Sequence, residues 1–577
     1  MKPTPERQEA HALSLVARHQ GLIAVLVLAL AVRLSGLGEW WLNPDEGIYY
    51  SILTRESFSG FWDEVASNAH PPLYYLFLRG MGAIAWDFLW FRAFTVLCGL
   101  AAVWTAWAVA RSLAGSGARG TVAGLIAALA VAVAPGAVEL SQVMRPYMLQ
   151  VALLGGALFF LLRYLEGSRA SDGSEPDMEG AAPDPVLPGV GGRRDLAAYL
   201  VLVLLALLTH YSSMLALGAF GLVIVHDGLA HGTGRAPWRR VFAAHVLPGL
   251  VLALVYLVHL RPLMSSELAD EALDGWLGPY MIDAPRDAWL AFLGFQHLLA
   301  QPWLRGFTAL ATLMALAASA FRRPGPEGVD GRRPAVLIAS GFLIAIAAAS
   351  LGVYPLGATR HSAWLLVFVV PALGWFGAHV LSRSGRSALV WGGALSLLVL
   401  MSGPIGDAIG GPYAPWAPND RVLREESLTQ VVDVLDPSAS PELVVMSAQT
   451  FYLLLPFYPV EREAAVRSAD GHLFHFRLGA RRVLVSESWD FTAGPDRTVQ
   501  SDLAGTLSAA ARAFPELSLD QTAQAVLVIG GWRPPVVDRL VTASAEGARP
   551  FLVSAQSVPG FYAFLLDVPA VREAFEP

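Results

Sequence analysis

The sequence predicts a mainly α-helical, polytopic membrane bundle with a small α/β domain at its C-terminal end. Three observations predict it. Of 577 residues, 55% are hydrophobic and only 15% charged, against about 25% charged in an ordinary soluble chain. The deficit is concentrated in long apolar runs, and about 20 such residues cross the roughly 30 Å of bilayer hydrocarbon. Beyond about residue 405 the apolar runs shorten to strand length and alternate with helix-like stretches.

The elements follow in order. A polar tail with Lys2, Arg7 and Arg18 precedes a first apolar run, Gly21 to Leu37. A small-x-small cleavage site is missing after it, so it reads as a retained span and not as a signal peptide. Runs of spanning length fall near 20–38, 90–112, 120–138, 144–165, 195–209, 211–229, 239–260, 303–321, 335–352, 361–381 and 387–404, eleven in all. A twelfth candidate, 71–86, is settled by the positive-inside rule. With eleven spans and the N-terminus inside, the inner loops hold Arg111, Arg119, Arg169, Arg193, Arg194, Arg235, Arg239, Arg240, Arg322, Arg323, Arg332, Arg333, Arg383 and Arg386. The outer loops then hold acids such as Glu267, Asp270, Glu271, Asp274 and Asp283. A twelfth crossing would invert every later loop, so 71–86 is expected to lie in the outer interface, with Pro71 and Pro72 opening its helix.

Residues 1–405 are thus expected to form the transmembrane domain, with an acidic-motif loop at 39–89, a disordered inner loop at 166–194 and an outer loop at 261–302. Residues 166–194 are rich in Gly, Pro, Asp and Glu and cannot bury a core. An amphipathic helix is expected near 287–299. A Gly/Pro linker spans 406–420, and 421–577 forms an extracytoplasmic α/β domain whose buried sheet takes LVVMSA (443–448), RVLVSE (482–487), AVLVIGG (525–531) and YAFLLDV (562–568).

Net charge −7 argues against a nucleic-acid partner. Lys2 is the only lysine among 40 basic residues, which fits a GC-rich bacterial genome. Cys98 is the only cysteine, so an internal disulfide is impossible, and it reads as a small buried hydrophobe.

Sorting the polar residues by side gives a pattern. Asp45, Glu46, His70, Glu139, Arg145, Tyr147, His210, Tyr211, Arg360 and His361 all fall at the outer membrane surface. Ionisable groups at a membrane edge are costly and mark a functional site by default. The chemistry that fits is glycosyl transfer from a lipid phosphate. Phosphate is already a good leaving group, so the reaction needs a carboxylate to take the acceptor proton and a cation to hold the phosphate as charge develops. Asp45 is the expected base, beside Glu46. Glu139 would orient the acceptor, and Arg360 would clamp the phosphate with its planar fork. His70, His361 and Arg145 are further phosphate-binding candidates, with Tyr147, His210 and Tyr211 lining the substrate pocket. Adjacent Asp45 and Glu46 cannot straddle a sugar as a glycosidase pair does. Arg33, inside the first span, is expected to snorkel outward or pair with a carboxylate. His226, His245 and His259 read as structural.

The ordered pieces AVRLSGL, NPDEGIYY, HPPLYYLFLRG, FRAFTVLCGL, SQVMRPYML, THYSS and YPLGATRH span residues 21 to about 361. Together they resemble the GT-C superfamily of membrane glycosyltransferases, close to the bacterial relatives of dolichyl-phosphate-mannose protein mannosyltransferases and to aminoarabinose transferases. The resemblance places the family's motif acid on Asp45 and its second acid on Glu139, where many members carry Asp. It places His70 where aminoarabinose-transferase relatives carry Lys. It implies a multi-pass protein of a bacterial inner membrane with its site and C-terminal domain extracytoplasmic. Its implied partners are a polyprenyl-phosphate-linked sugar, membrane lipids and an acceptor glycan, lipid or protein. Some superfamily members use a divalent ion; the mannosyltransferase-like branch implies none, and no cofactor is expected. The alternatives are transfer of a modified sugar onto a lipid such as lipid A, or a non-enzymatic lipid or polysaccharide transporter or assembly component. A transporter would want broken spans at the midplane and paired inverted halves; the sequence has no repeat.

Overall fold

A computed structural model describes residues 5–575 apart from 36, 38–43, 56, 69, 116, 172–191, 232–235, 265–276, 323–330, 384–441, 455–465, 468–472, 479–480, 487–498, 531–534, 547–548 and 559–560. The expected span at 387–404, the linker at 406–420, most of the inner loop at 166–194 and the acids Glu267 to Asp274 lie outside the described residues. The chain divides into two compact units: residues 1–37, 65–78 and 90–416, and residues 38–64, 79–89 and 417–577.

The first unit is a helix bundle. Its helices are α1 (Pro5–Leu34), α5 (Phe88–Ala114), α6 (Ala118–Val133), α7 (Pro135–Gln142), α8 (Tyr147–Ser171), α9 (Arg193–Leu207), α10 (Ser213–His231), α11 (Ala236–Val255), α12 (Arg261–Met264), α13 (Pro285–Phe295), α14 (Arg305–Ala320), α15 (Arg333–Ser350) and α16 (Leu366–Arg383). In chain order α2 (Pro44–Leu53), α3 (Phe58–Ser67) and α4 (Pro72–Gly82) come after α1, and α2 belongs to the second unit. Among the described residues seven helices are long and apolar enough to cross a membrane, or eight with the bent pair α6–α7. The apolar part of α1, His19–Leu34, and α9 are shorter. α4 has 11 residues, about 16 Å of helix, too short to cross. Where the sequence reads as one span at 120–138, the helix breaks by 58° at Pro135. Proline cannot donate to the preceding turn, and the residue before it is pushed out of the α region; Ala134 is extended at φ −62°, ψ 122°.

Small residues let the helices approach closely. A Cβ on Gly374 of α16 would stand 2.5 Å from the carbonyl oxygen of Ala123 in α6. Cys98 is buried in the core. One end of this bundle holds the ion pairs Arg163–Asp195, Arg240–Asp227, Arg333–Asp227 and Arg333–Glu166, with Arg119 and Arg322 both on the ring of His379. Tyr147 opens α8 and Glu166 lies near its end, so they stand about 28 Å apart along the axis. The histidines described below belong to the Tyr147 end.

Among its described residues the second unit contains a seven-stranded sheet of order β2-β3-β4-β1-β5-β7-β6. The strands are β1 (Leu443–Ser447), β2 (Val466–Arg467), β3 (Leu473–Leu478), β4 (Arg481–Ser486), β5 (Gln524–Gly530), β6 (Leu552–Val558) and β7 (Phe561–Asp567). β4, β1 and β5 are parallel, and they are the continuous apolar runs, as strands covered on both faces should be. Among the described residues the flanking helices are α17 (Ala448–Leu454), α18 (Val499–Ala513), α19 (Pro535–Glu546) and α20 (Val568–Phe575). Leu503, Leu507 and Leu540 bury against Leu443, Leu484 and Leu527 of the sheet. Helix α2 packs on α17, so the helix that carries Asp45 and Glu46 is built into this unit.

Candidate functional site

Four connections of the first unit bring aromatic and basic side chains together at one bundle end. His70 stands just before α4, which is tied down by the Leu73 N–H donating to Leu208 O at 2.9 Å. Tyr147 opens α8, and Arg145 lies two residues before it. His210 lies between α9 and α10. Tyr354, Arg360 and His361 follow α15. The ring centroids of His70 and His210 are 5.1 Å apart, of Tyr147 and His210 5.0 Å, and of His210 and His361 6.3 Å. Tyr147 meets His361 edge-on at 5.8 Å, as does Tyr354, whose hydroxyl is 3.3 Å from Nδ1 of His361. The Arg145 guanidinium lies 5.7 Å from the Tyr147 ring centroid. His210, Tyr147 and Arg145 are buried, whereas His70, His361, Arg360 and Tyr354 are half-buried. The cluster therefore has a dry floor and a more open rim.

The electrostatics follow from this packing. Removal from water, joined by the charges of Arg145 and Arg360, pushes His210 down to about 3. The same causes, together with His210 and His361, hold His70 well below the usual histidine range. Burial raises the Tyr354 hydroxyl. These two imidazoles are therefore neutral near neutral pH, and the fixed positive charge belongs to the two guanidiniums. The tautomer of His210 is set locally. The Ser212 N–H donates to Nδ1 at 3.2 Å, and the Ser212 hydroxyl lies 2.9 Å from it. That hydroxyl accepts from Nε2 of Gln150 at 2.7 Å. With Nδ1 an acceptor, the proton sits on Nε2. Nε2 of His210 and the Tyr147 hydroxyl are buried without a hydrogen-bond partner among the described residues. Buried polar atoms of this kind are rare and call for an explanation such as a ligand.

Glu139 lies on α7, largely buried. Asp45 and Glu46 stand in the first turn of α2, where the helix dipole favours carboxylates; Glu46 is fully buried and Asp45 half-buried. Tyr211 turns away from the cluster, its hydroxyl meeting Nδ1 of His259. Tyr354, Gln150 and Ser212 were not singled out by sequence reasoning, although the stretches YPLGATRH and THYSS contain two of them. Among the described residues no three His, Cys, Asp or Glu side chains are grouped to hold a metal ion.

No family model matches the chain, and no curated protein matches it. Among solved structures it is similar to ArnT from Cupriavidus metallidurans in the apo state, at 15% identity, covering 96% of this chain and 99% of that one, with a TM-score of 0.50. It is also similar to that ArnT bound to undecaprenyl phosphate (16% identity, 95% and 98% covered, TM-score 0.49). A third likeness is to the archaeal oligosaccharyltransferase AglB from Archaeoglobus fulgidus, in complex with an inhibitory peptide and a dolichol-phosphate (12% identity, 89% and 70% covered, TM-score 0.43). At such identities the likeness is one of fold, and the fold it shows, over nearly the whole chain, is that of ArnT: a multi-pass membrane helix bundle followed by a small sheet-containing region.

Proposed function

We propose that the chain is an inverting glycosyltransferase that moves a sugar from a polyprenyl-phosphate donor to an acceptor hydroxyl at the outer face of a bacterial inner membrane. The observation that carries this reading is the cluster at the Tyr147 end of the bundle. Two guanidiniums, Arg145 and Arg360, act on one buried imidazole, His210, beside two unsatisfied polar groups, His210 Nε2 and the Tyr147 hydroxyl. Fixed cations and neutral hydrogen-bond donors together suit a phosphate whose charge grows as its bond to the sugar breaks. His70 and His361 supply further neutral edges of the same site.

In the step itself the acceptor oxygen attacks the anomeric carbon from the side opposite the phosphate. The new C–O bond forms as the old one breaks, and the polyprenyl phosphate leaves as an anion. The acceptor proton passes to Asp45, assigned by the sequence motif beside Glu46, with Glu139 orienting the acceptor. Departing phosphate needs no general acid, and the scheme routes no step through a metal. Sidedness rests on the arginines gathered at the Glu166 end, which the positive-inside rule assigns to the cytoplasm.

The test is transfer of labelled sugar from synthetic polyprenyl phosphates in proteoliposomes. Asp45→Asn should lose turnover while keeping polyprenyl-phosphate binding, and Arg360→Ala should lose binding. Turnover by Asp45→Asn at the wild-type rate, or polyprenyl-phosphate binding indifferent to Arg360→Ala, would sink the proposal.

A further inference from the structure

Arg33 is fully buried in the first span. It neither snorkels nor meets a carboxylate among the described residues. Its Nη2 donates to Val131 O at 3.0 Å and its Nη1 to Ala132 O at 2.9 Å and Ala29 O at 3.2 Å, while Nε donates to Ser141 Oγ at 3.0 Å. These acceptors have a common cause. In an unbroken helix Val131 O would take the N–H of residue 135, and Ala132 O that of residue 136. Residue 135 is proline, which has no N–H to give. The extended backbone at Ala134 then breaks the ladder at the next position. The guanidinium fork supplies two donors at the spacing of the two freed carbonyls, and its third reaches across the break into α7. From the other side, Gln142 Nε2 donates to Arg33 O at 3.1 Å and Ser35 O at 2.9 Å. Ser141 Oγ donates to Ala137 O at 2.6 Å. Gly99 leaves the room: a Cβ there would stand 2.3 Å from Ser141 Oγ and 2.7 Å from Arg33 Nε.

We infer that Arg33 is a positioning residue: it staples the break between α6 and α7 and so fixes α7, and with it Glu139. Two residues along a helix correspond to about 200° of rotation. With Ser141 held on the Arg33 side, Glu139 is turned to the opposite side of α7. The inference that this matters for sugar transfer rests on the function proposed above; the mechanical link between Arg33 and α7 does not.

The experiment reads both. In a Cys98→Ala background, Glu139→Cys is labelled with a membrane-impermeant maleimide in intact proteoliposomes, with and without Ser141→Ala or Gly99→Ala. Both changes leave the arginine in place, which guards against the misfolding that Arg33→Met risks. The expected result is a labelling rate shifted at least about threefold by either change, with the far-UV circular dichroism of the native fold retained. In otherwise native protein, Ser141→Ala should lower kcat about tenfold with KM unchanged, since small misplacements of a reacting group cost up to about a hundredfold. That loss should vanish in a Glu139→Gln background. Unchanged labelling in both variants overturns the staple, as does a kcat loss that persists undiminished in Glu139→Gln. Shifted labelling with sugar transfer undetectable even in the native protein overturns the proposed function and leaves the staple standing.

Discussion

The rings of His70 and His210 stand 5.1 Å apart, and both are held in the neutral form. Two histidines beside two arginines would otherwise repel at mildly acidic pH. Burial resolves the conflict by disfavouring the second pair of charges, which leaves Arg145 and Arg360 as the fixed cations and the imidazoles as hydrogen-bonding edges.

A pH dependence of stability follows. His210 titrates at about 3 in the folded chain against about 6.5 when unfolded. Between those values the unfolded state binds more protons, so stability rises with pH and falls as pH is lowered below about 6.5. From pH 6.5 to 5 the loss from His210 is about 2 kcal/mol. The apparent melting temperature in detergent should therefore drop over that window, and His210→Gln should flatten the drop. An equal slope in wild type and His210→Gln would refute the depressed value.

The two arginines should not be replaceable by lysine. A guanidinium reaches two phosphate oxygens with a rigid fork, and an ammonium only acts as a point charge. Arg360→Lys and Arg145→Lys should each weaken polyprenyl-phosphate binding about tenfold to a hundredfold, with melting temperature within about 2 °C of wild type. Equilibrium binding of a fluorescent polyprenyl phosphate checks this. Wild-type affinity in both variants would remove the arginines from the site.

Much of the fold was legible because bilayer thickness writes itself into run length. Nine of the apolar runs, from 90–112 to 361–381, reappear as described helices, one of them broken. The break was the part misread. In AVAPGAVE the apolar run continues through Pro135, and hydropathy does not register a lost N–H. Arg33 was misread for the same reason, since three of its four acceptors are backbone carbonyls that no composition reveals. In the sheet, the three parallel strands and β7 were legible as apolar runs. β3 (LFHFRL) and β6 (LVSAQSV) were not, because they alternate with polar residues or are largely exposed. For the site, alternation of spans placed the polar residues at one surface. It did not say which touch: Tyr211 turns to His259, and Tyr354 takes a place beside His361.

Glycine contacts separate crowding from helix propensity. Gly374→Ala would drive a methyl into the Ala123 carbonyl oxygen, 2.5 Å away, with the Ala127 and Ala110 methyls at 2.9 and 3.2 Å. Backbone cannot step aside as a side-chain tip can, so the change should cost about 1–3 kcal/mol. Gly249 in α11 has nothing within 4 Å of the same added atom, and Gly249→Ala should be neutral or stabilise by about 0.5–1 kcal/mol. Melting temperatures of the two variants should move in opposite directions or differ plainly. Equal values would mean that α6 and α16 do not approach at Gly374.

The ion network at the Glu166 end should be the most sensitive polar feature of the bundle. Arg333, 3% exposed, donates to Glu166 Oε1 at 2.5 Å and Asp227 Oδ1 at 3.3 Å, and Arg240 Nη1 lies 3.5 Å from Asp227 Oδ2. Asp227 is 2% exposed, so its charge is tolerated only while both guanidiniums face it. Arg333→Met leaves that carboxylate short of a partner in a dry site and should cost about 3–5 kcal/mol. Asp227→Asn should cost a comparable amount, because it removes the carboxylate charge that two buried guanidiniums share. Glu166 is about one-third exposed in its side chain, and water replaces much of what it offers. Glu166→Gln should therefore cost at most about 1 kcal/mol. Chemical or thermal unfolding of the three variants in one detergent gives the order directly. Were Glu166→Gln to match Arg333→Met, the weight of the network would lie at its exposed edge, and burial of Asp227 would not be what makes the arginine necessary.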